Sequence, residues 1–358
     1  MLTEDAAGSL GEMGERQIFA QLLQPRYRDV PSFGDDCATL RRGLVITTDS
    51  CPMPLVASLG VEDPYYTGWL LATINFSDLA AAGAWPEGLV VNYTLRADTP
   101  VDVLEHIIDG VDACARFYGT GVLGGDIQDG CEMHLSATAI GRCLPRRLSL
   151  QLRMSGGRLS RRGARAGDRL LLVGSPGYLW GAALLHYGWA SLSANDTEKV
   201  FDRARRPIAQ LKAGRLLAHR GIVRAAIDVS DGLYAGVRTL CDTNGLGAVM
   251  HADIELDAVL REICDQAKVT SFQLGQTWGD WSLLVAVTAD DVRRAVAALT
   301  RAGIGVREVG VLTADEAVLV IADEDTKLSP WEGIDQERFS KSSWHGDGID
   351  EYLQRLRG

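Results

Sequence analysis

The sequence lacks the motifs that mark the commonest nucleotide and metal chemistries. It contains no G-x-x-x-x-G-K-[ST], which excludes a lysine-anchored phosphate loop. The glycine-loop and catalytic-loop set of the protein kinases is missing too. Histidine is scarce, at 6 residues. No H-E-x-x-H or H-x-x-x-H pair occurs among them, which argues against a histidine-built zinc site. The 7 cysteines are Cys37, Cys51, Cys114, Cys131, Cys143, Cys241 and Cys264. None has C-x-x-C spacing, so neither a zinc ribbon nor a dithiol redox centre is indicated; buried reduced thiols are expected. Apolar runs such as Leu170–Val173 fall far short of the ~18 residues of a membrane span, so no membrane partner is expected. The opening Met1-Leu-Thr-Glu-Asp has no basic or apolar leader character, and a cytoplasmic location is expected.

Positive charge is also in deficit. Lys and Arg number 36 against 47 Asp and Glu, giving a formal net charge of −11. Nucleic acids select basic patches, so no nucleic-acid partner is expected. An anionic substrate stays compatible with this balance, because bound divalent cations reverse a local field. What is present is ordinary for a folded protein: 46% hydrophobic and 23% charged among 358 residues, which excludes a largely disordered chain. At roughly 150 residues per domain the length favours two domains. The expected division is 1–150 and 151–325, with a tail over 326–358.

Periodicity and punctuation predict helices over 13–28, 63–83 and 100–119 in the first half. Strands are predicted at Val45–Thr48, Leu89–Leu95 and His134–Ile140, with a strand stub at Val122-Leu123. An Arg-rich stretch over 142–169 reads as an interdomain segment. The second half predicts strands at Leu170–Val173, Ala225–Val229 and Trp281–Val287 and a final strand pair over Gly310–Ile321. Helices are expected over 178–188, 197–220 with a break at Pro207, 233–244 and 289–302. Alternation of this kind points to sheets with helices packed on them.

The informative pattern is acidic. Gly34-Asp35-Asp36, Thr47-Thr48-Asp49, Phe76-Ser77-Asp78, Gly124-Gly125-Asp126 and Ile227-Asp228-Val229-Ser230-Asp231-Gly232 recur after apolar strands or within a helix. Each alone is an unremarkable turn or cap. Gathered at one place, the carboxylates repel one another unless a cation sits between them. Asp, hydroxyl and water oxygens suit Mg²⁺, which usually binds together with substrate phosphates. Flanking glycines let backbone N–H groups approach a phosphate.

This ordered set resembles the thiamine-monophosphate kinases, of the superfamily that includes aminoimidazole ribonucleotide synthetase, selenophosphate synthetase and a hydrogenase maturation protein. The matching text is FGDDCATL (33–40), ITTDS (46–50), DPYYTGWLLATINFSDLAAAGAWP (63–86), LGGDIQ (123–128), RRGARAGDRLLLVGSPG (161–177) and AIDVSDGL (226–233). The resemblance spans about residues 10–320. It implies a two-domain α+β and α/β fold of the aminoimidazole-ribonucleotide-synthetase type, with an N-terminal sheet that pairs across a homodimer and a C-terminal α/β domain. Leu89–Leu95 is the segment expected to pair across subunits.

The resemblance also implies ATP and Mg²⁺ as cofactors and a small-molecule acceptor. Asp36, Asp49, Asp78, Asp126, Asp228 and Asp231 would bind metal, with Thr47 and Thr48 adding oxygens. Thr47, Thr48, Gly125, Asp126, Arg161 and Ser230 would contact the nucleotide, and Asp78, Asp126 and Asp231 would be catalytic. Arg161 rather than Arg162 fits the family spacing R-x-G-A-x-x-G-D. Phosphoryl transfer needs positioning and charge neutralisation more than covalent chemistry, which such a constellation supplies.

The departures fall on the acceptor side. Val56 stands where the family carries a substrate-contacting His. Gly279 stands in place of the first Glu of G-G-E-D-Y-E-L, while Asp280 is kept. The family's W-x-G-Y-D-H-F is only partly echoed by Trp331-Glu-Gly-Ile-Asp335. Trp278 and Trp281 read either as the lining of a new acceptor pocket or as core aromatics. The expected activity is therefore an ATP-dependent phosphotransferase whose acceptor differs from thiamine monophosphate. The open alternatives are a synthetase that phosphorylates an amide or carbonyl oxygen before C–N bond formation, a diverged thiamine-monophosphate kinase, and a non-catalytic nucleotide-binding subunit.

Overall fold

The computed structural model of the chain describes residues 9–144, 157–316, 319–322, 328–331, 333 and 344–357. The 145–156 part of the Arg-rich stretch lies outside them, as do Glu332, Ile334 and Asp335 of the C-terminal aromatic echo.

A first sheet has five strands: β1 Ala38–Thr39, β2 Leu44–Cys51, β3 Trp85–Leu95, β4 Val122–Asp129 and β5 His134–Arg142. Their order is β1-β2-β5-β3-β4, and only β3–β4 is parallel. Helices Tyr65–Ala81 and Val101–Phe117 cover one face. Leu71, Phe76 and Leu79 meet Leu89, Val91, Leu135, Ala137 and Ala139 there in one buried cluster. The period-2 alternation of β5 explains the packing: Leu135, Ala137 and Ala139 point inward and are buried, while the residues between them are not.

The second sheet has seven strands: β6 Arg169–Val173, β7 Val223–Val229, β8 Gly247–His251, β9 Ser282–Val287, β10 Val306–Thr313, β11 Leu319–Ala322 and β12 Leu328–Pro330. Their order is β12-β11-β8-β10-β6-β9-β7. All neighbours are antiparallel except β8–β11. Continuous apolar strands fit a sheet covered on both faces. Leu170, Leu172, Leu284 and Ala286 enter one core, and Leu171, Val173, Leu283 and Val285 enter the other.

Several expectations shift. The strand predicted at Val122-Leu123 runs to Asp129, so Gly124-Gly125-Asp126 lies within β4 rather than after it. The segment expected to pair with another subunit, Leu89–Leu95, belongs to β3, which is bonded on both sides to β5 and β4. It has no free edge; among the described residues, β4 has one. The break expected at Pro207 is present: the 197–220 region is two helices, Ala194–Arg205 and Leu211–Arg220. Helices Ala258–Ala267 and Trp344–Arg357 were not anticipated. The second packs Tyr352, Leu353 and Leu356 into the main core. All seven cysteines are free, and five are buried. No helix among the described residues is long and apolar enough to cross a membrane.

Candidate active site

Three separate parts of the chain bring the carboxylates together. Asp78 lies near the C-terminal end of helix Tyr65–Ala81, and Asp228 near the end of β7. Asp36 comes from the turn that precedes β1. Oxygens of Asp36, Asp78 and Asp228 all lie within 4.8 Å of one another. The Thr47 hydroxyl donates to Asp78, and the Ser77 hydroxyl hydrogen-bonds Asp228. The backbone N–H of Asp49 donates to the Asn75 side-chain oxygen at 3.2 Å, which fixes β2 against the same helix.

Burial pushes the Asp78 carboxyl well above the ordinary carboxylate range, and the charges of Asp228, Asp49 and Asp36 push it further. Burial raises Asp228 in the same way, with Asp36 adding to the effect and Arg161 opposing it. Like charges in a desolvated site favour the proton-bound form in just this manner.

Arg161 is the cation of the cluster. Its Nε and Nη2 donate to Asp36 at 3.1 and 2.6 Å. Burial works against its charge, but Asp36 and the neighbouring carboxylates hold it firmly protonated. The turn that presents it is pinned by Asp35, whose carboxylate accepts from Arg158 Nη1 at 2.6 Å, Ser160 Oγ at 2.9 Å and the Arg161 N–H at 3.1 Å. Asp35 was visible in the acidic doublet but given no role. The doublet divides the work: Asp35 holds the backbone, and Asp36 meets the guanidinium.

Asp36, Thr47, Thr48, Asp49, Asp78, Arg161, Asp228, Ser230 and Asp231 all line one cavity of about 420 Å³. Val56, Trp278, Gly279 and Trp281 line it as well. A second cavity, of about 670 Å³, adjoins it and shares Glu15, Arg161, Asp228, Ser230 and Asp231. Its far wall is built by Ile18, Phe19, Leu23, Ala235 and Thr239. The Thr48 hydroxyl donates to the Ala137 carbonyl at 3.0 Å and accepts from Thr138 at 3.1 Å, so its side chain is already tied to β5. Ser230 donates to Asp231 at 3.4 Å.

Three expected site residues lie elsewhere. Gly125 and Asp126 sit on the exposed strand β4 and line neither cavity. A Cβ on Gly125 would fall 2.0 Å from the Val91 carbonyl oxygen, so glycine there lets β4 lie against β3. Asp280 does not line the cavity either; it accepts from the N–H groups of Gly177 at 2.7 Å and Leu179 at 3.2 Å. That caps the start of helix Tyr178–His186. Burial raises its pKa to about 6, against the opposing pull of those N–H groups.

The acceptor side has a different character. Val56 is 3% exposed on the short turn Leu55–Leu59. Gly279 has φ of +99°, and a Cβ there would lie 2.1 Å from Leu179 Cδ2. Trp281 adopts φ of 47°, a left-handed conformation that costs a non-glycine residue roughly 1–2 kcal/mol. Trp278 packs edge-on against buried Trp180, with ring centroids 5.6 Å apart. It is thus both a core aromatic and a cavity residue.

Comparison with known proteins places this geometry. Residues 34–143 match the N-terminal domain of AIR synthase related proteins, and residues 165–322 match the C-terminal domain. The thiamine-monophosphate kinase of Salmonella typhimurium is 31% identical over 333 residues, which cover 89% of this chain and 95% of that protein. The chain belongs to the thiamine-monophosphate kinase family. It is therefore a member of a family of ATP-dependent kinases with the two-domain AIR synthase fold. The solved structure of AaThiL complexed with AMPPCP and TMP superposes with a TM-score of 0.73 at 21% identity, covering 94% of this chain and all (100%) of that one. The hydrogenase maturation protein HypE of E. coli gives a TM-score of 0.62 at 18% identity, covering 88% of this chain and 97% of that one. Both likenesses concern the fold.

Proposed function

We propose that this family member is an ATP- and Mg²⁺-dependent phosphotransferase whose acceptor is a small molecule other than thiamine monophosphate. The observation that carries the reading is the contrast within one cavity. One side is the Asp36–Asp78–Asp228 cluster with Arg161, and the other is apolar around Val56, Gly279 and Leu179.

The residues fit Mg²⁺. Among the described residues, seven carboxylates line the cavity (Glu15, Asp35, Asp36, Asp49, Asp78, Asp228 and Asp231) against two guanidinium groups, Arg161 and Arg205, an excess that a hard, oxygen-seeking cation relieves. Asp36, Asp78 and Asp228 would hold it, with Asp49, Asp231, Thr47 and Thr48 supplying further oxygens. Bound there, the metal neutralises charge on the phosphates and on the group in transfer. Arg161 and Ser230 stand where the two cavities meet and would orient the nucleotide phosphates. Asp78 and Asp231 act by position and charge; neither needs to form a covalent intermediate.

A homodimer is part of the proposal, through β4 rather than β3. Val122, Leu123 and Ile127 are 40%, 60% and 62% exposed on this free edge, an arrangement that invites pairing with another strand. Gly125 and Asp126 lie on the same strand and would enter nucleotide or metal binding only through such an assembly.

The test is incubation of the protein with a metabolite pool, Mg²⁺ and γ-labelled ATP, followed by mass spectrometry of labelled products. A labelled product other than thiamine diphosphate supports the proposal. Efficient turnover of thiamine monophosphate would make the chain a diverged member with the usual acceptor. Phosphate release coupled to C–N bond formation would make it a synthetase.

A further inference from the structure

We propose that the part of the acceptor remote from the transferred group is an uncharged, flat, apolar body, seated on Leu55, Val56, Leu179 and Trp278. This inference rests on the kinase reading above and names the class of molecule that the same cavity takes.

The wall is apolar for reasons built into the chain. Leu55, Val56 and Leu179 are 5%, 3% and 3% exposed and line the cavity together with Trp278. A polar side chain cannot replace Gly279 without displacing Leu179, because its Cβ would lie 2.1 Å from Leu179 Cδ2. The carboxylate next to it in sequence, Asp280, is turned away and committed to the N–H groups of Gly177 and Leu179. Arg205, which also lines the cavity, is engaged by Glu198 and Asp202 and lies over the Tyr66 ring at 5.5 Å.

A charged ring placed on this wall would lose its water and find no countercharge there, a penalty that a neutral ring escapes. None of the four wall residues carries a charge; among the cavity's carboxylates, Asp36, Asp78 and Asp228 lie within 4.8 Å of one another, and Asp36 is engaged by Arg161. The flatness of the ligand follows from Trp278. Its ring is held edge-on by Trp180, and a fixed aromatic favours stacked or edge-to-face partners over globular ones.

The test compares two nearly isosteric probes that differ in ring charge: 3-methylbenzyl phosphate and (N-methylpyridinium-3-yl)methyl phosphate. Each is titrated by calorimetry into the full chain with Mg²⁺ and a non-hydrolysable ATP analogue. The neutral probe is expected to bind at least ~10-fold more tightly. Leu179→Glu, which adds a carboxylate to the wall, should shrink or reverse that preference, whereas the neutral Leu179→Met should keep it. The wild-type comparison stands even if a variant fails to fold. Equal affinities, tighter binding of the cationic probe, or no binding of either probe beside a bound nucleotide analogue would overturn the proposal. A flat titration with the nucleotide analogue itself would instead overturn the kinase reading beneath it, and this proposal with it.

Discussion

The backbone N–H of Arg161 donates to the carboxylate of Asp35 at 3.1 Å, while the guanidinium of the same arginine is held by Asp36. Two adjacent carboxylates thus set the backbone and the head of one cation separately. Asp35→Asn keeps an acceptor but loses the charge that also pairs with Arg158. It should cost roughly 1.5–3 kcal/mol of stability, the usual worth of hydrogen bonds to a charged group. It should also raise KM for ATP while Mg²⁺-induced stabilisation persists. Thermal melts and initial rates against ATP check this. An unchanged KM in a destabilised variant would confine Asp35 to holding the fold.

Asp78 is half-buried beside other carboxylates and partly desolvated, so its charge opposes folding when no cation is present. Asp78→Asn should leave metal-free stability unchanged or raised. The wild-type protein should gain about 2.7 kcal/mol at Mg²⁺ one hundred times its Kd, and the variant should lose most of that gain together with turnover. Asp231→Asn, at an exposed position, should lower turnover with a stability change within about 0.5 kcal/mol. Melts with and without Mg²⁺, paired with ATP-consumption assays, decide both. Near-normal turnover would remove these residues from the chemistry.

The carboxylates were legible because each sits in a short motif with its own glycine or hydroxyl neighbour. Their convergence was not, since it depends on helix Tyr65–Ala81 crossing β2 and β7. Local periodicity found β5, where alternation is clean. It shortened β4, where two glycines and an aspartate look like a turn, although parallel pairing with β3 carries the strand through them. Asp280 looked like a site residue because it kept a family position. Only the position of helix Tyr178–His186 shows that its carboxylate is used as a cap. The fit of Leu179 against Gly279 joins segments about a hundred residues apart, which no local pattern reports.

Asp280 gives a pH signature separable from the metal cluster. Its pKa is raised from 3.8 to about 6 by burial, so the folded state prefers the protonated form. Its contribution to stability is fully present below the unfolded value of 3.8 and is lost as pH rises through about 6. A shift of this size corresponds to roughly 3 kcal/mol. Denaturant unfolding of the wild type and of Asp280→Asn should therefore diverge with pH. The wild type should lose stability relative to the variant between about pH 4 and about pH 7. Parallel pH profiles would show that Asp280 is not the titrating group.

Gly279→Ala forces a side chain into left-handed backbone and onto Leu179. The expected cost is roughly 1–3 kcal/mol. Leu179→Ala alone empties a buried position and should cost roughly 2–5 kcal/mol. Combined, the two should cost less than their sum, with a coupling of roughly 0.5–3 kcal/mol, because the new methyl group occupies space that the leucine leaves. A double-mutant cycle by denaturant unfolding measures this. Strict additivity would mean that Leu179 does not fill the space in front of Gly279.

The C-terminal helix extends the acceptor wall from behind. Tyr352 is 3% exposed, and its ring stacks on Trp180 with centroids 3.7 Å apart; Trp180 in turn holds Trp278 edge-on at the cavity. Removing the ring should leave a void beside Trp180 and cost roughly 3–5 kcal/mol, as for other buried aromatic truncations. Tyr352→Phe keeps the stack and should cost far less. The two variants separate packing from any role of the hydroxyl. Tyr352→Ala should shift tryptophan emission to the red as water reaches Trp180, and it should weaken binding of 3-methylbenzyl phosphate while leaving KM for ATP unchanged. That split is informative because general loosening of the fold would raise both. A Tyr352→Ala protein with unshifted emission and unaltered binding would show that the helix caps the core without supporting the acceptor wall.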